Sequence, residues 1–366
     1  MMVPSLGVMP PLSLGVYTRP RADRIPFPLE EPGCVLYERA RHGLWHAVRA
    51  LGLGGDDEVL VPAYHHGSEI EALVRAGLTC RFYEATQTLA PDERELEALL
   101  GPRTRALHLI HYLGFAQDAP RWREWCEERG LFLIEDAAQA WLGSLDGRPL
   151  GSFGDIAIFC LYKTFGVPDG GVLLCSSPPA QADGPSGAGI GRLALRHAAW
   201  CLERSPLLAE LASRFERSAP YSPMQDFALG DPNTPPSAVT LRLLRRIDPG
   251  AAARRCSNYR VLLDELGDLV PPPFARLPDG ASPFAFPIAV DDKQTLIARL
   301  AGQGVRALNL WSVPHPALPA AGFPGAAALR ARVVGLPVHQ ELRPADLARI
   351  ARAVRQVGCR PAYRSA

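Results

Sequence analysis

From about residue 40 the chain alternates between two hydrophobic rhythms. Leu44, Trp45, Val48 and Leu51 recur at three- and four-residue intervals, which predicts a helix over His42–Leu51. Glu58–Val61 is a short, mostly apolar run closed by Pro62 and predicts a buried strand. The alternation continues with a helix over Ser68–Ala76, a strand over Thr79–Tyr83, a helix over Pro91–Leu100 and a strand over Arg105–Ile110. A helix over Trp122–Arg129 follows, then strands over Leu131–Ile134, Ile156–Cys160 and Val172–Cys175. Short apolar strands between amphipathic helices predict an α/β domain whose mostly parallel sheet is covered on both faces.

The flanks read differently. Residues 1–33 contain Pro4, Pro10, Pro11, Pro20, Pro26, Pro28 and Pro32, the composition of an extended arm with little regular structure. Residues 34–250 are the large α/β domain, within which Ser176–Gly191 reads as a loop leading into a helical insertion. Residues 251–366 read as a smaller α+β domain. They hold a helix from Arg254 to Leu266, a strand over Phe286–Val290, and helices over Lys293–Gln303 and Pro344–Val357. A chain of 366 residues is long enough for this division.

Composition narrows the function class. The 39 basic and 38 acidic residues leave a net charge of +1, so nothing in the overall charge favours nucleic acid or an anionic membrane as partner. No apolar run approaches the roughly 18 residues that span a bilayer. The apolar N-terminus lacks a basic segment and is broken by prolines, unlike a secretory signal. Cys34, Cys80, Cys126, Cys160, Cys175, Cys201, Cys256 and Cys359 stand singly, with no C-x-x-C pair, which points to a reducing compartment; the cytoplasm is expected.

Lysine is rare here: Lys163 and Lys293 are the only two among 39 basic residues. A lysine kept among arginines is a candidate for amine chemistry, because arginine stays protonated. Lys293 follows Asp291 and Asp292 at a predicted helix start and reads as a solvated surface residue. Lys163 lies just past a buried strand, in Phe159-Cys160-Leu161-Tyr162-Lys163, and Asp136 lies at the end of another, in Ile134-Glu135-Asp136-Ala137-Ala138-Gln139. Ligands of open parallel sheets sit beyond the carboxyl ends of the strands. An amine and an acid there match the needs of a pyridoxal phosphate enzyme. The lysine forms a Schiff base with the aldehyde, and the aspartate keeps the pyridine nitrogen protonated. Blander readings stand beside this one: Asp136 as a helix cap, Lys163 as a loop lysine, Cys160 as a small core residue and Arg41 as a surface arginine. His65, His66, His108 and His111 lack the glutamate or cysteine partners of a metal site, and no metal is expected. His42 and His46 read as packed or surface residues.

The sequence resembles the DegT/DnrJ/StrS-type sugar aminotransferases, pyridoxal phosphate enzymes of fold type I. The resemblance runs from about residue 35 to 357. It is carried by GLGGDDEVLVPAYHHGSEIEALVRAG at 52–77, PRTRALHLIHYLG at 102–114, GLFLIEDAAQAWLGSLDGRPLGSFGDIAIF at 130–159, KTFGVPDGGVLL at 163–174 and LPVHQEL at 336–342. It implies a fold type I sheet flanked by helices, with a smaller C-terminal α+β domain. It also implies pyridoxal 5'-phosphate as cofactor, Lys163 as the Schiff-base lysine and Asp136 as partner of the pyridine nitrogen. Gln139 would approach the phenolic oxygen, and His66 falls where the family stacks an aromatic on the ring. Ala40 and Arg41 fall near the family's phosphate-binding Gly-Thr, and Cys160 near a phosphate-binding serine.

This chain departs from the pattern in places. Arg39-Ala40-Arg41-His42 replaces the Gly-Thr, so phosphate must rely on backbone amides, with Arg41 a charge-assisted donor. The stretch from Phe159 to Lys163 is short for the family, and Pro168-Asp169-Gly170-Gly171 stands in place of its glycine-glutamate-glycine-glycine. The pair Gly170-Gly171 reads as a tight turn before a strand. Asn233 is the candidate for the asparagine that the family donates across its dimer interface. The expected activity is transfer of an amino group, from glutamate if the family holds, to a keto group of a nucleotide-linked or natural-product sugar, in a homodimer with its sites at the interface. An amino-acid lyase or decarboxylase, or a catalytically silent binding or regulatory protein of this fold, are the alternatives.

Overall fold

The computed structural model describes residues 5–179, 184–187, 189–202 and 226–358. Cys359 and parts of the predicted Ser176–Gly191 loop, residues 180–183 and 188, lie outside them. The arm contributes a two-residue strand, β1 (Leu6–Gly7), and a single 3-10 turn at Leu14–Tyr17. Then come β2 (Cys34–Tyr37), α1 (Ala40–Ala50), β3 (Glu58–Pro62), α2 (Ser68–Arg75), β4 (Thr79–Tyr83), α3 (Glu93–Leu99), β5 (Thr104–Ile110), α4 (Ala119–Glu128) and β6 (Phe132–Asp136). A small hairpin of β7 (Ser144–Leu145) and β8 (Arg148–Pro149) precedes β9 (Ile156–Cys160), the short turn α5 (Leu161–Thr164), β10 (Gly171–Cys175) and α6 (Ile190–Leu202).

Seven strands form one sheet in the order β2-β10-β9-β6-β5-β3-β4. The expected parallel sheet is present from β9 to β4, but β10 runs antiparallel to both β9 and β2. The cause is chain length. A parallel return needs a crossover of a dozen or more residues, whereas only Leu161 to Gly170, with the one turn of α5, separate β9 from β10. β3 and β9 are buried at every position, as strands covered on both faces must be. Side-chain caps set several helix starts: Asp92 accepts from Glu95 N–H at α3, and Asp118 from Arg121 N–H at α4.

Beyond residue 250 the helices Ala251–Leu266, Lys293–Gly302, Pro324–Arg332 and Pro344–Val357 surround an antiparallel pair, β11 (Phe286–Ala289) and β13 (Val333–Leu336). Between them β12 (Val305–Arg306) pairs in parallel with β1 of the arm. The predicted helix start at Lys293 is present, with Asp292 as its cap. The expected surface position of Lys293 is not. The residue is 3% exposed, and its Nζ donates to the carbonyls of Leu310 and Arg330, both at 2.9 Å. Two acids before a helix mark its cap and say nothing about which face the first residue presents; here that face turns inward.

Candidate active site

The parallel strands end along one rim. β3 leads to His65 and His66, β5 ends at Ile110, β6 at Asp136 and β9 at Cys160. A cavity of about 870 Å³ opens there. Lys163, Asp136, Gln139, His66, Ala40, Arg41 and Cys160 all line it, so these seven residues selected from the sequence meet in one place, whereas Asn233 is not among the lining residues.

Lys163 projects from α5, its Nζ 5.8 Å from the centre of the Phe284 ring. The turn beneath it is clamped from far along the chain. Arg255, 1% exposed, donates to the carbonyls of Lys163 and Thr164 at 3.2 and 2.8 Å, to Pro283 O at 2.9 Å and to Gln340 Oε1 at 2.8 Å. Gln340 adds its own bond to Thr164 O at 2.9 Å. Burial pulls the Lys163 ammonium down, but Cys160, Tyr162, Asp136 and Glu69 together outweigh it and the net direction is up.

Asp136 closes β6. Its Oδ1 accepts the Ala138 N–H at 2.9 Å, and its Oδ2 lies 3.7 Å from His108 Nε2. Burial pushes its carboxyl upward; His108 and Lys163 oppose this, Glu69 reinforces it, and the net direction is up. This acid is short of a cation. The Oε1 of Gln139 accepts the Leu113 N–H at 2.9 Å, which leaves its Nε2 to donate elsewhere.

His66 forms part of the cavity wall and meets the Phe227 ring edge-on at 5.9 Å. Burial, with Lys163 and Arg41 adding to it against Glu69, pulls the ring down to about 4, so it is neutral near pH 7. Glu69 holds the turn before α2 by accepting from His66 N–H at 2.9 Å and Gly67 N–H at 3.2 Å.

The N-terminus of α1 faces the same cavity. Arg39 precedes the helix without making a side-chain cap, and Ala40 and Arg41 supply first-turn amides. The guanidinium of Arg39 lies over the Tyr162 ring at 5.1 Å, and Arg41 Nη1 donates to the carbonyls of Asp226 and Ala228 at 2.5 and 2.7 Å. Helix dipole and arginines together make this end attractive to an anion. Gly171, at the start of β10, permits the approach: a Cβ there would overlap the backbone of Arg39 and Ala40.

Sequence reasoning passed over several residues of this site. Tyr162, Glu69, Asp226, Asn309 and Trp311 also line the cavity. Tyr162 adjoins Lys163 and Glu69 lies three residues past His66, so proximity could have flagged both. Asn309 and Trp311 arrive from the far end of the chain and carry no local signal. Asp169 was read only as part of the segment that stands in place of the family's glycine-glutamate-glycine-glycine; it is 0% exposed and accepts from Ser237 N–H, Ser237 Oγ and Thr240 Oγ1, tying that segment to residues 237–240.

The donor set fits pyridoxal 5'-phosphate. A phosphate matches the α1 terminus, a protonated pyridine nitrogen supplies the cation that Asp136 lacks, and an aldehyde matches the amine of Lys163. A largely parallel sheet carrying this trio at its carboxyl edge has the arrangement that a pyridoxal phosphate enzyme of fold type I requires.

Comparison with known proteins narrows the class. Residues 30–183 match the DegT/DnrJ/EryC1/StrS aminotransferase family. GDP-perosamine synthase of Vibrio cholerae is 31% identical over 134 residues, 36% of this chain and 36% of that protein. The spore coat polysaccharide biosynthesis protein SpsC of Bacillus subtilis is 25% identical over 335 residues, 86% of this chain and 82% of that protein. The crystal structure of S. venezuelae DesV, in complex with a ketimine intermediate, superposes with a TM-score of 0.64 at 25% identity, covering 88% of this chain and 84% of that one. The stretch matched at 31% identity thus spans about a third of its curated relative. The family match covers residues 30–183, a little under half of the chain.

Proposed function

We propose that this protein is a pyridoxal phosphate-dependent aminotransferase that moves an amino group from a donor such as glutamate to the keto group of a nucleotide-linked sugar. One observation carries the reading: Lys163 and Asp136 open into the same cavity, which the arginine-flanked start of α1 also lines. The cofactor, when bound, supplies an aldehyde for an amine and a ring that delocalises negative charge from the substrate α-carbon. Asp136 holds the proton on the ring nitrogen, and Gln139 donates to the phenolic oxygen. Neutral His66 gives the ring a flat wall. The amides of Ala40 and Arg41, with Arg39 and Cys160 near them, bind phosphate. Lys163 is the amine that would hold the aldehyde and the general base that would move a proton at the substrate α-carbon. Arg255 and Gln340 keep the backbone under that amine in place.

The names of the relatives support a sugar acceptor. We further propose a homodimer with sites at its interface, acting in the cytoplasm, and a division into arm, large domain and small domain at residues 33 and 250.

The test is spectroscopic and chemical. Protein reconstituted with the cofactor should absorb near about 400–430 nm, as the Schiff base of this cofactor does. Glutamate should shift the band and yield 2-oxoglutarate. Lys163→Ala should abolish both the band and turnover. A variant that keeps both removes Lys163 from the role; an unchanged band with glutamate, with product from another amino acid, favours a lyase or decarboxylase.

A further inference from the structure

His108 occupies the middle of β5, between Leu107 and Leu109, with Ile110 two residues on. The register pairs His108 with Ile134 and Ile110 with Asp136. Side chains two apart on a strand share a face, so His108 and Asp136 are diagonal neighbours on the same side of the sheet. Ile110 and Asp136 line the cavity, and His108 lies one layer beneath them.

The imidazole is 0% exposed, and neither of its nitrogens has a hydrogen-bond partner among the described residues. A buried polar ring of this kind is costly, and an apolar residue would fill the layer at less cost. Its Nε2 stands 3.7 Å from Asp136 Oδ2. The other oxygen of that carboxylate is already fixed by Ala138 N–H. The remaining charged groups with influence on Asp136 are Glu69, from α2, and Lys163, from α5. Neither is hydrogen-bonded to it among the described residues. His108 is therefore the side chain placed to complete the support of Oδ2.

We propose that His108 is a positioning residue: a neutral imidazole, protonated at Nε2, that donates to Asp136 Oδ2 and keeps this carboxylate ionised and aimed when it holds a ring cation. The proposal rests on the reading of the cavity as a pyridoxal phosphate site. The imidazole keeps its proton throughout and touches neither cofactor nor substrate. Its effect is on the carboxylate, and through that on how firmly the ring nitrogen stays protonated.

The test uses holoenzyme loaded with cofactor labelled with ¹⁵N at the ring nitrogen, as wild type, His108→Leu and His108→Gln. His108→Leu should fold with a Tm no lower than wild type and retain the visible band. Its ring ¹⁵N resonance should move toward the unprotonated position, and its kcat should fall about tenfold or more with the donor KM little changed, the scale of losing an outer-shell partner. His108→Gln, whose Nε2 can donate to the same oxygen, should recover most of both. In wild type, the His108 Nε2 proton, assigned by its absence in His108→Gln, should move downfield when the cofactor binds. That measurement decides the matter even if His108→Leu fails to fold. Unchanged ¹⁵N position and kcat in His108→Leu, or an Nε2 proton indifferent to the cofactor, overturns the proposal and leaves the enzyme reading standing. Wild type without a visible band overturns both.

Discussion

Lys293 carries an amine into the interior, and no acid pairs with it among the described residues. Burial first, then the nearby Arg330, pulls its ammonium down to about 8, and two carbonyl oxygens accept its hydrogen bonds. Replacing it by Met keeps the stem but leaves the carbonyls of Leu310 and Arg330 without their donor. Lys293→Met should therefore lose about 1–3 kcal/mol of stability, read from chemical denaturation; an unaltered midpoint would mean that other donors replace the amine. The two lysines show what a sequence exposes at this scale. Lys163 could be placed because a strand end lies just before it and an acid stands at a neighbouring strand end. The burial of Lys293 depends on Leu310 and Arg330, 17 and 37 residues onward, and no pattern around Asp291-Asp292 reports on them. His108 was read only as a histidine without the partners of a metal site, and it is packed in the middle of β5. Its alignment with Asp136 needs the register between β5 and β6, which local pattern does not contain.

At the scale of elements, the α1 terminus depends on β10 lying close against it. Gly171 makes that contact, and Gly171→Ala would push a methyl group into the Arg39–Ala40 backbone. We expect a loss of about 1–3 kcal/mol from overpacking, together with weaker affinity for pyridoxal 5'-phosphate relative to pyridoxal, since the displaced amides serve the phosphate. Calorimetric titration with the two cofactor forms checks this; equal loss for both would mean that α1 does not bind the phosphate group. Helices and strands with strong periodicity were legible from sequence, several of them to the residue: Thr79–Tyr83, Ile156–Cys160 and Pro344–Val357. β2 was not, because four residues after a proline-rich stretch are too few to establish a rhythm. The direction of β10 was not either, since it follows from the short return after α5.

For the whole molecule, acid is the weak side. His65 is 0% exposed and burial pulls it down to about 3, while His66 lies at about 4, against an ordinary 6.5. Between those values the unfolded chain binds protons that the folded one refuses, so stability rises with pH through the window and falls as pH is lowered from 6.5 toward 3. Each histidine contributes up to about 1.4 kcal/mol per pH unit. Glu69, held at about 2 with the two histidines as its main opposing charges to burial, acts in the same direction: the stability it contributes above 4.5 is lost as pH falls toward 2. Tm should therefore drop steeply from pH 7 to pH 5; a flat profile would mean that these rings charge without unfolding. Of these groups His65 joins the sheet rim to the C-terminal segment, where His315 N–H donates to its Nε2 at 3.4 Å.

The pairing of Leu6 with Val305 and Gly7 with Arg306 has a consequence for folding. β1 has its partner about 300 residues further along the chain, and Met9, just past β1, is part of the cavity wall. The arm can find no edge to join until β12 is in place, and pairing across so long a span slows folding. The seven-stranded sheet needs no such contact, so this wall of the pocket closes only once β1 and β12 have met.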